Sequence, residues 1–227
     1  QLEHSNETVR CYQGDVAGKL RISAMSDFGE SILLPLLDKF SRLYPEIVLD
    51  VHLSDEITSI ARDDIDVAIR GGYAPNERVV AITLMDNKFV PAAAPKYLQA
   101  MGSPKHALEM PQHKGLYYRT PNGRTPWLTQ IDGQWQDVSG IEAAISNSGR
   151  WILQKAAQGQ GIVMLPRWAL KSYLERGELI ELTITPPLSI TQKPDFGTYL
   201  LYQKQRYPVP KIKALVDFLV SHIKGQY

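Results

Sequence analysis

The chain has 227 residues, 44% of them hydrophobic, which is enough for one large folded domain or two small ones. Lys+Arg 25 against Asp+Glu 24 leaves a formal charge of +1, without the basic excess of a surface that grips phosphates. The single cysteine, Cys11, excludes an internal disulfide and fits a reducing compartment, and no apolar run reaches the roughly 18 residues that a membrane-spanning helix needs.

Residues 1–17 are polar, with Leu2, Val9 and Tyr12 thinly spaced, and read as the frayed end of a longer helix or a disordered leader. They carry charge where a signal peptide has its apolar core, so a cytoplasmic protein is expected. An exported protein that has already lost its signal stays open as an alternative. From residue 19 to 24 the alternation of Leu20 and Ile22 with Lys19, Arg21 and Ser23 predicts a strand with one packed face. A polar bend over Ser26, Asp27, Phe28 and Gly29 follows. Leu33, Leu36, Leu37, Phe40 and Leu43 then recur at helical spacing, and Pro35 places the start of that helix late. A second strand is expected over 47–54. Ser54-Asp55 would cap a short helix through Ile57, Ile60 and Ala61, and a third strand over 65–70 stops at Gly71-Gly72.

Strand, helix, strand, helix, strand at these intervals predicts parallel βαβ units. Ligands of such sheets sit beyond the carboxyl ends of the strands, which here means Ser26-Asp27, Ser54-Asp55 and Arg70-Gly71. Each has a plainer reading: the Ser and Asp residues as helix caps, and Arg70 as one half of an ion pair with Asp66.

An apolar stretch over 79–94, broken at Asp86-Asn87-Lys88, predicts two strands, the second crossing into another subdomain. Pro95 opens a short helix that Gly102 ends. A strand over 116–119 leads into a Trp- and Gly-containing, hairpin-like excursion over 120–140. Another short strand over 144–146 ends at Asn147-Ser148, poised to cap a helix carrying Trp151, Ile152 and Ala156. A buried strand over 161–166, a helix over 168–176 and a strand over 178–183 follow. Arg119 at its strand end either forks a carboxylate or pairs with Glu142, and the mouth of the helix after Ser148 suits an anion. A return strand over 197–202 and a closing helix with Ile212, Leu215, Val216, Leu219 and Ile223 on one face complete the chain.

The five histidines are scattered away from metal-ligand spacing, no phosphate-binding loop or nucleophile elbow occurs, and the Asp63, Asp64, Asp66 cluster reads as a solvated turn. No metal, no cofactor and no enzymatic activity are expected. Binding has candidates and catalysis has none.

In family order the chain resembles the C-terminal effector-binding (substrate-binding) domain of LysR-type transcriptional regulators. The resemblance rests on the run from Gly18 to Ala24, Leu34-Pro35-Leu36-Leu37 with Phe40 and Tyr44-Pro45, the run from Asp66 to Gly72, Ala94-Pro95-Lys96-Tyr97-Leu98, the run from Ala156 to Pro166 and the block from Tyr199 to Leu219. It implies an α/β, periplasmic-binding-protein-like fold of two Rossmann-like subdomains with a hinged cleft for a small effector. The boundaries expected are 1–17 for a linker-helix remnant, 18–88 with 197–227 for the first subdomain, and 89–196 for the second. The resemblance maps effector contacts onto Ser26, Asp27, Ser54, Asp55, Asn147 and Ser148, with Arg70, Arg119, Phe28 and Ile162 completing the set. The arginines and helix mouths tilt the effector towards an anion, while Phe28, Tyr117, Tyr118 and Trp151 leave room for an aromatic ring. A homodimer or homotetramer is implied, with DNA bound only through an N-terminal module outside this chain. A solute-binding protein of an uptake system with the same fold is the alternative. The excursion over 120–140 matches no pattern of the family.

Overall fold

The computed structural model describes residues 16–56, 64–74 and 79–224. The expected linker remnant, up to residue 15, and the short helix through Ile57, Ile60 and Ala61 lie outside the described residues. The chain divides into two compact units, one running to Asp86 and resuming at Phe196, the other spanning Asn87–Asp195. The sequence places these divides at 88/89 and 196/197.

The first unit is built on β1 (Gly18–Ala24), flanked on one side by β2 (Ile47–Leu53) and on the other by β3 (Val67–Gly72), both parallel to it. β13 (Gly197–Tyr202) then runs antiparallel to β3 and to β4 (Val80–Asp86), giving the order β2-β1-β3-β13-β4. The parallel half follows from the βαβ spacing. The antiparallel half arises because β13 returns from the other end of the chain. Alternation in β1 predicts one packed face, yet Leu20, Ile22, Ser23 and Ala24 are all buried. Strands inside a parallel sheet are covered on both faces by the chain segments packed above and below the sheet.

The polar bend expected at 26–29 is instead helical. A single α-turn, Ser26–Phe28, passes through a wide i→i+5 turn, Gly29–Leu33, into α1 (Leu34–Leu43). Proline has no N–H to give to the carbonyl four residues back, and the wide turn in which Leu34 N–H reaches Gly29 O absorbs that loss ahead of Pro35. Gly29 lets the Leu53 side chain pack close: a Cβ here would meet Leu53 Cδ2 at 2.3 Å and push that side chain aside. α1 buries Leu37 and Phe40, while Leu43, expected inward, is 63% exposed. Phe40 meets Phe218 of α5 (Pro210–Ile223) edge-on at 5.2 Å. α5 buries all five residues read on its inner face, each contributing about 1.5–3 kcal/mol of burial.

The second unit has the order β10-β6-β11-β5-β12. β10 (Ile141–Ser146), β6 (Lys114–Thr120) and β11 (Ile162–Pro166) are parallel, and β5 (Phe89–Ala93) is antiparallel to β11. β12 shrinks to Ile180–Glu181, much shorter than the strand expected over 178–183. α2 (Pro95–Met101) ends at Gly102 as read, and α3 (Gly149–Ala157) and α4 (Arg167–Glu175) occupy the expected places. The excursion is a short β7 (Gly123–Arg124) paired to β6 and then a true hairpin, β8 (Leu128–Ile131) with β9 (Gln134–Asp137). Asp132 and Gly133 make its two-residue turn at φ 50° and 77°, the left-handed pair that matches strand twist.

A buried polar pair pins the start of β6. Tyr97 of α2 accepts the Lys114 N–H at 2.9 Å, and its hydroxyl lies 3.2 Å from His113 Nδ1. The Tyr97 hydroxyl thus bridges the Lys114 amide and the His113 ring. Burial holds the His113 pKa below its ordinary value, opposed by Glu109, and burial raises that of Tyr97. A histidine kept neutral by folding binds protons better when unfolded, so its contribution is present above about pH 6.5 and is lost as the pH falls. Urea denaturation between pH 7.5 and 5 is expected to show falling stability, with a smaller slope in His113→Gln, whose amide oxygen still accepts from Tyr97.

Candidate functional site

Parallel pairing in register carries three strand exits of the first unit to one edge. Ala24, the last residue of β1, sits opposite Leu53 and Ile69, so Met25, Ser54 and Arg70 emerge side by side. Ser54 N–H donates to Ala24 O at 2.9 Å, which continues the β1–β2 ladder one step past the strands. Its hydroxyl accepts the Glu56 N–H at 3.1 Å, as a turn-forming serine does. Asp55 reaches across to the helix start: Oδ1 accepts the Ser26 N–H at 3.2 Å. Arg70 turns back on the sheet, donating through Nη2 to Ser23 Oγ at 2.6 Å and through Nη1 to Ile69 O at 2.9 Å. Burial lowers the Arg70 pKa from its ordinary value, and the charge of Asp55 opposes that shift. Gly71 N–H meets Met25 Sδ at 2.9 Å.

Ser26, Asp27, Ser54, Asp55 and Arg70 are therefore gathered on one edge. Phe28 is fully buried and belongs to the core beneath it. The ion pair of Arg70 with Asp66 weighed from the sequence is not made: Asp66 accepts the Arg21 N–H at 2.9 Å and pairs with Arg206 at 2.9 Å. Sequence reading misses Ser23 and Met25. Alternation places Ser23 on the polar side of its strand, whereas in the fold it is buried and receives the Arg70 guanidinium.

In the second unit, Tyr118 of β6 lies opposite Ser146 of β10, which sets Arg119 beside Asn147 and Ser148 at another carboxyl edge. Ser148 is the cap read from the sequence, its hydroxyl accepting the Trp151 N–H at 3.3 Å while its own N–H donates to Ser146 Oγ at 3.0 Å. Asn147 and Arg119 are exposed. Glu142 pairs with Arg124 at 2.8 Å, not with Arg119. Ile162 stands apart from these residues. It opens β11 opposite Gly115, at the amino end of β6, and is fully buried.

Of the aromatic residues offered to a ring, Tyr117 is core: it is buried against Trp127 at 4.7 Å, capped by Arg124 at 4.4 Å, and its hydroxyl donates to Gly140 O at 2.8 Å. Burial pushes its pKa up to about 12. Trp151 stays 42% exposed with Lys155 Nζ 4.5 Å from its ring centre. Among the described residues no group of three or more His, Cys, Asp or Glu side chains is placed to hold a metal ion. No helix of the described residues is long and apolar enough to cross a membrane.

Two α/β units, each with polar strand exits on its own sheet, define a ligand-binding domain of the periplasmic-binding-protein-like class. The model of the LysR substrate binding domain matches residues 13–224, and the chain belongs to that family. It is similar to an uncharacterised HTH-type transcriptional regulator of Haemophilus influenzae, 29% identical over 181 residues, covering 80% of this chain and 63% of the relative. It is also similar to the HTH-type transcriptional activator TtdR of Escherichia coli K12, 28% identical over 232 residues, covering 96% of this chain and 72% of that protein. Among solved structures, full-length AphB, a virulence activator of Vibrio cholerae, superposes with a TM-score of 0.79 at 24% identity, covering 98% of this chain and 74% of that one. The chain thus spans about two thirds to three quarters of these relatives, which are transcriptional regulators and not uptake proteins.

Ser148→Ala removes the one side-chain cap of α3 and is expected to cost about 1 kcal/mol of stability in urea unfolding.

Proposed function

We propose that this chain is the effector-sensing part of a larger cytoplasmic LysR-type regulator, which binds DNA through an N-terminal module outside this chain. The supporting observation is the convergence of three polar strand exits of the first unit, with Asp55 on the Ser26 amide and Arg70 on Ser23. A small organic effector bound on this edge, or on the Arg119, Asn147 and Ser148 edge of the second unit, would favour one arrangement of the intact regulator over another. It does so only by binding the two arrangements unequally. The residues gathered on these edges bind and orient. No nucleophile with an adjacent base stands among them, so the reading is of a receptor.

Self-association is part of the proposal. α1 leaves Leu34 and Leu43 exposed and the edge strand β2 leaves Val48 59% exposed, apolar surface that a second copy would cover. Leu43→Glu, at a side chain the fold does not bury, is expected to shift the chain from dimer or tetramer to monomer in analytical ultracentrifugation with its melting temperature kept.

The site is tested by a thermal-shift screen of small organic acids, amines and aromatics, followed by titration calorimetry on the hits. Ser26→Ala is expected to weaken hits on the first unit's edge, and Asn147→Ala hits on the second unit's edge, about three- to tenfold, the worth of one hydrogen bond. Unchanged affinity in both would place the effector elsewhere.

A further inference from the structure

A helix that starts at a strand exit offers its first N–H groups to an anion. In this chain the offer is already taken up. The Ser26 N–H donates to Asp55 Oδ1 at 3.2 Å, and Asp55 comes from the exit of β2, 29 positions along the chain. Arg70, the cation read from the sequence as a fork for a ligand carboxylate, spends Nη2 on Ser23 Oγ and Nη1 on Ile69 O. Asp27 adds a second carboxylate in the first helical turn.

We infer that Asp55 is a specificity-determining residue of the effector edge: it occupies the helix-start amide with a built-in carboxylate and so turns away ligand anions, leaving the edge to uncharged or amine-bearing polar groups. This rests on the reading of that edge as an effector site. An incoming carboxylate must displace Asp55 from the amide and then lie beside it, two like charges at partial burial. An amide or amine group has no such penalty, and it can donate to the second Asp55 oxygen. Discrimination here comes from an unfavourable pairing with the wrong ligand as much as from a favourable one with the right ligand.

The test is an amide-resolved nuclear magnetic resonance titration of the ¹⁵N-labelled chain with benzoate and with benzamide, its uncharged counterpart. In the wild type the Ser26 resonance is expected to respond to benzamide at a concentration at least about tenfold lower than to benzoate. Asp55→Ala vacates the amide and removes the charge, and benzoate is expected to tighten at Ser26 by at least about tenfold. Asp55→Asn keeps an oxygen for the amide without the charge and should fall between the two. Benzoate reaching Ser26 equally well in wild type and Asp55→Ala would overturn the inference while leaving the site where it is. Benzoate failing to reach Ser26 in Asp55→Ala would overturn it too. Responses to both probes confined to the second unit in all three proteins would remove the inference and the site together.

Discussion

The first unit depends on the parallel pairing of β1 with β2 and β3 at once. Because Gly18 to Ala24 match Ile47 to Leu53 one for one, and Ile22 to Ala24 match Val67 to Ile69, three chain segments leave the sheet at the same level and in the same direction. No side chain is needed to bring Met25, Ser54 and Arg70 together; the ladder does it. Side chains then decide what the edge presents. Serine on the covered face of β1 receives the guanidinium of Arg70, and aspartate after β2 receives the amide of Ser26. Slipping β2 by one residue would turn its side chains to the opposite faces and undo the contact of Asp55 with the Ser26 amide.

Buried charge is used sparingly and away from that edge. Asp66, 1% exposed just before β3, takes the Arg21 N–H of β1 and the guanidinium of Arg206 beyond β13, so one carboxylate ties the two parallel strands to the antiparallel return. Leaving such a carboxylate without its arginine would expose the full penalty of burying a charge. In the second unit a neutral pair, Tyr97 with His113, plays the corresponding part at the start of β6. Both knots fix where strands begin, which in turn fixes where they end.

The family assignment and the absence of a reactive constellation among the residues of the two edges point the same way. In the proposed reading the domain recognises something small, and its output is carried by a longer regulator. That separates the questions of what is recognised and what is done about it, and only the first is written in this chain.

Much of the fold was legible because it rests on local periodicity. The inner face of α5, the extent of β13 and the Ser148 cap could be read directly, since burial pattern, β-branched content and capping chemistry all agree there. Membership of the family was legible too, from motifs spread along the whole chain. What the sequence could not decide was contact between residues distant in the chain. Alternation alone puts Ser23 on a polar face, Pro35 argues for a late helix, and Leu43 falls on an apolar stripe. In the fold Ser23 is buried, the wide turn at Gly29–Leu33 lets the helix begin at Ser26, and Leu43 faces outward at the helix end. Arg70 and Asp55 are recognisable as residues of the edge, but their partners are not, because hydrogen bonds spanning 47 and 29 positions are set by strand register in three dimensions. Local propensity determined the elements; the pairing of β1 with both its neighbours determined which charges are spent inside the protein and which remain for a ligand.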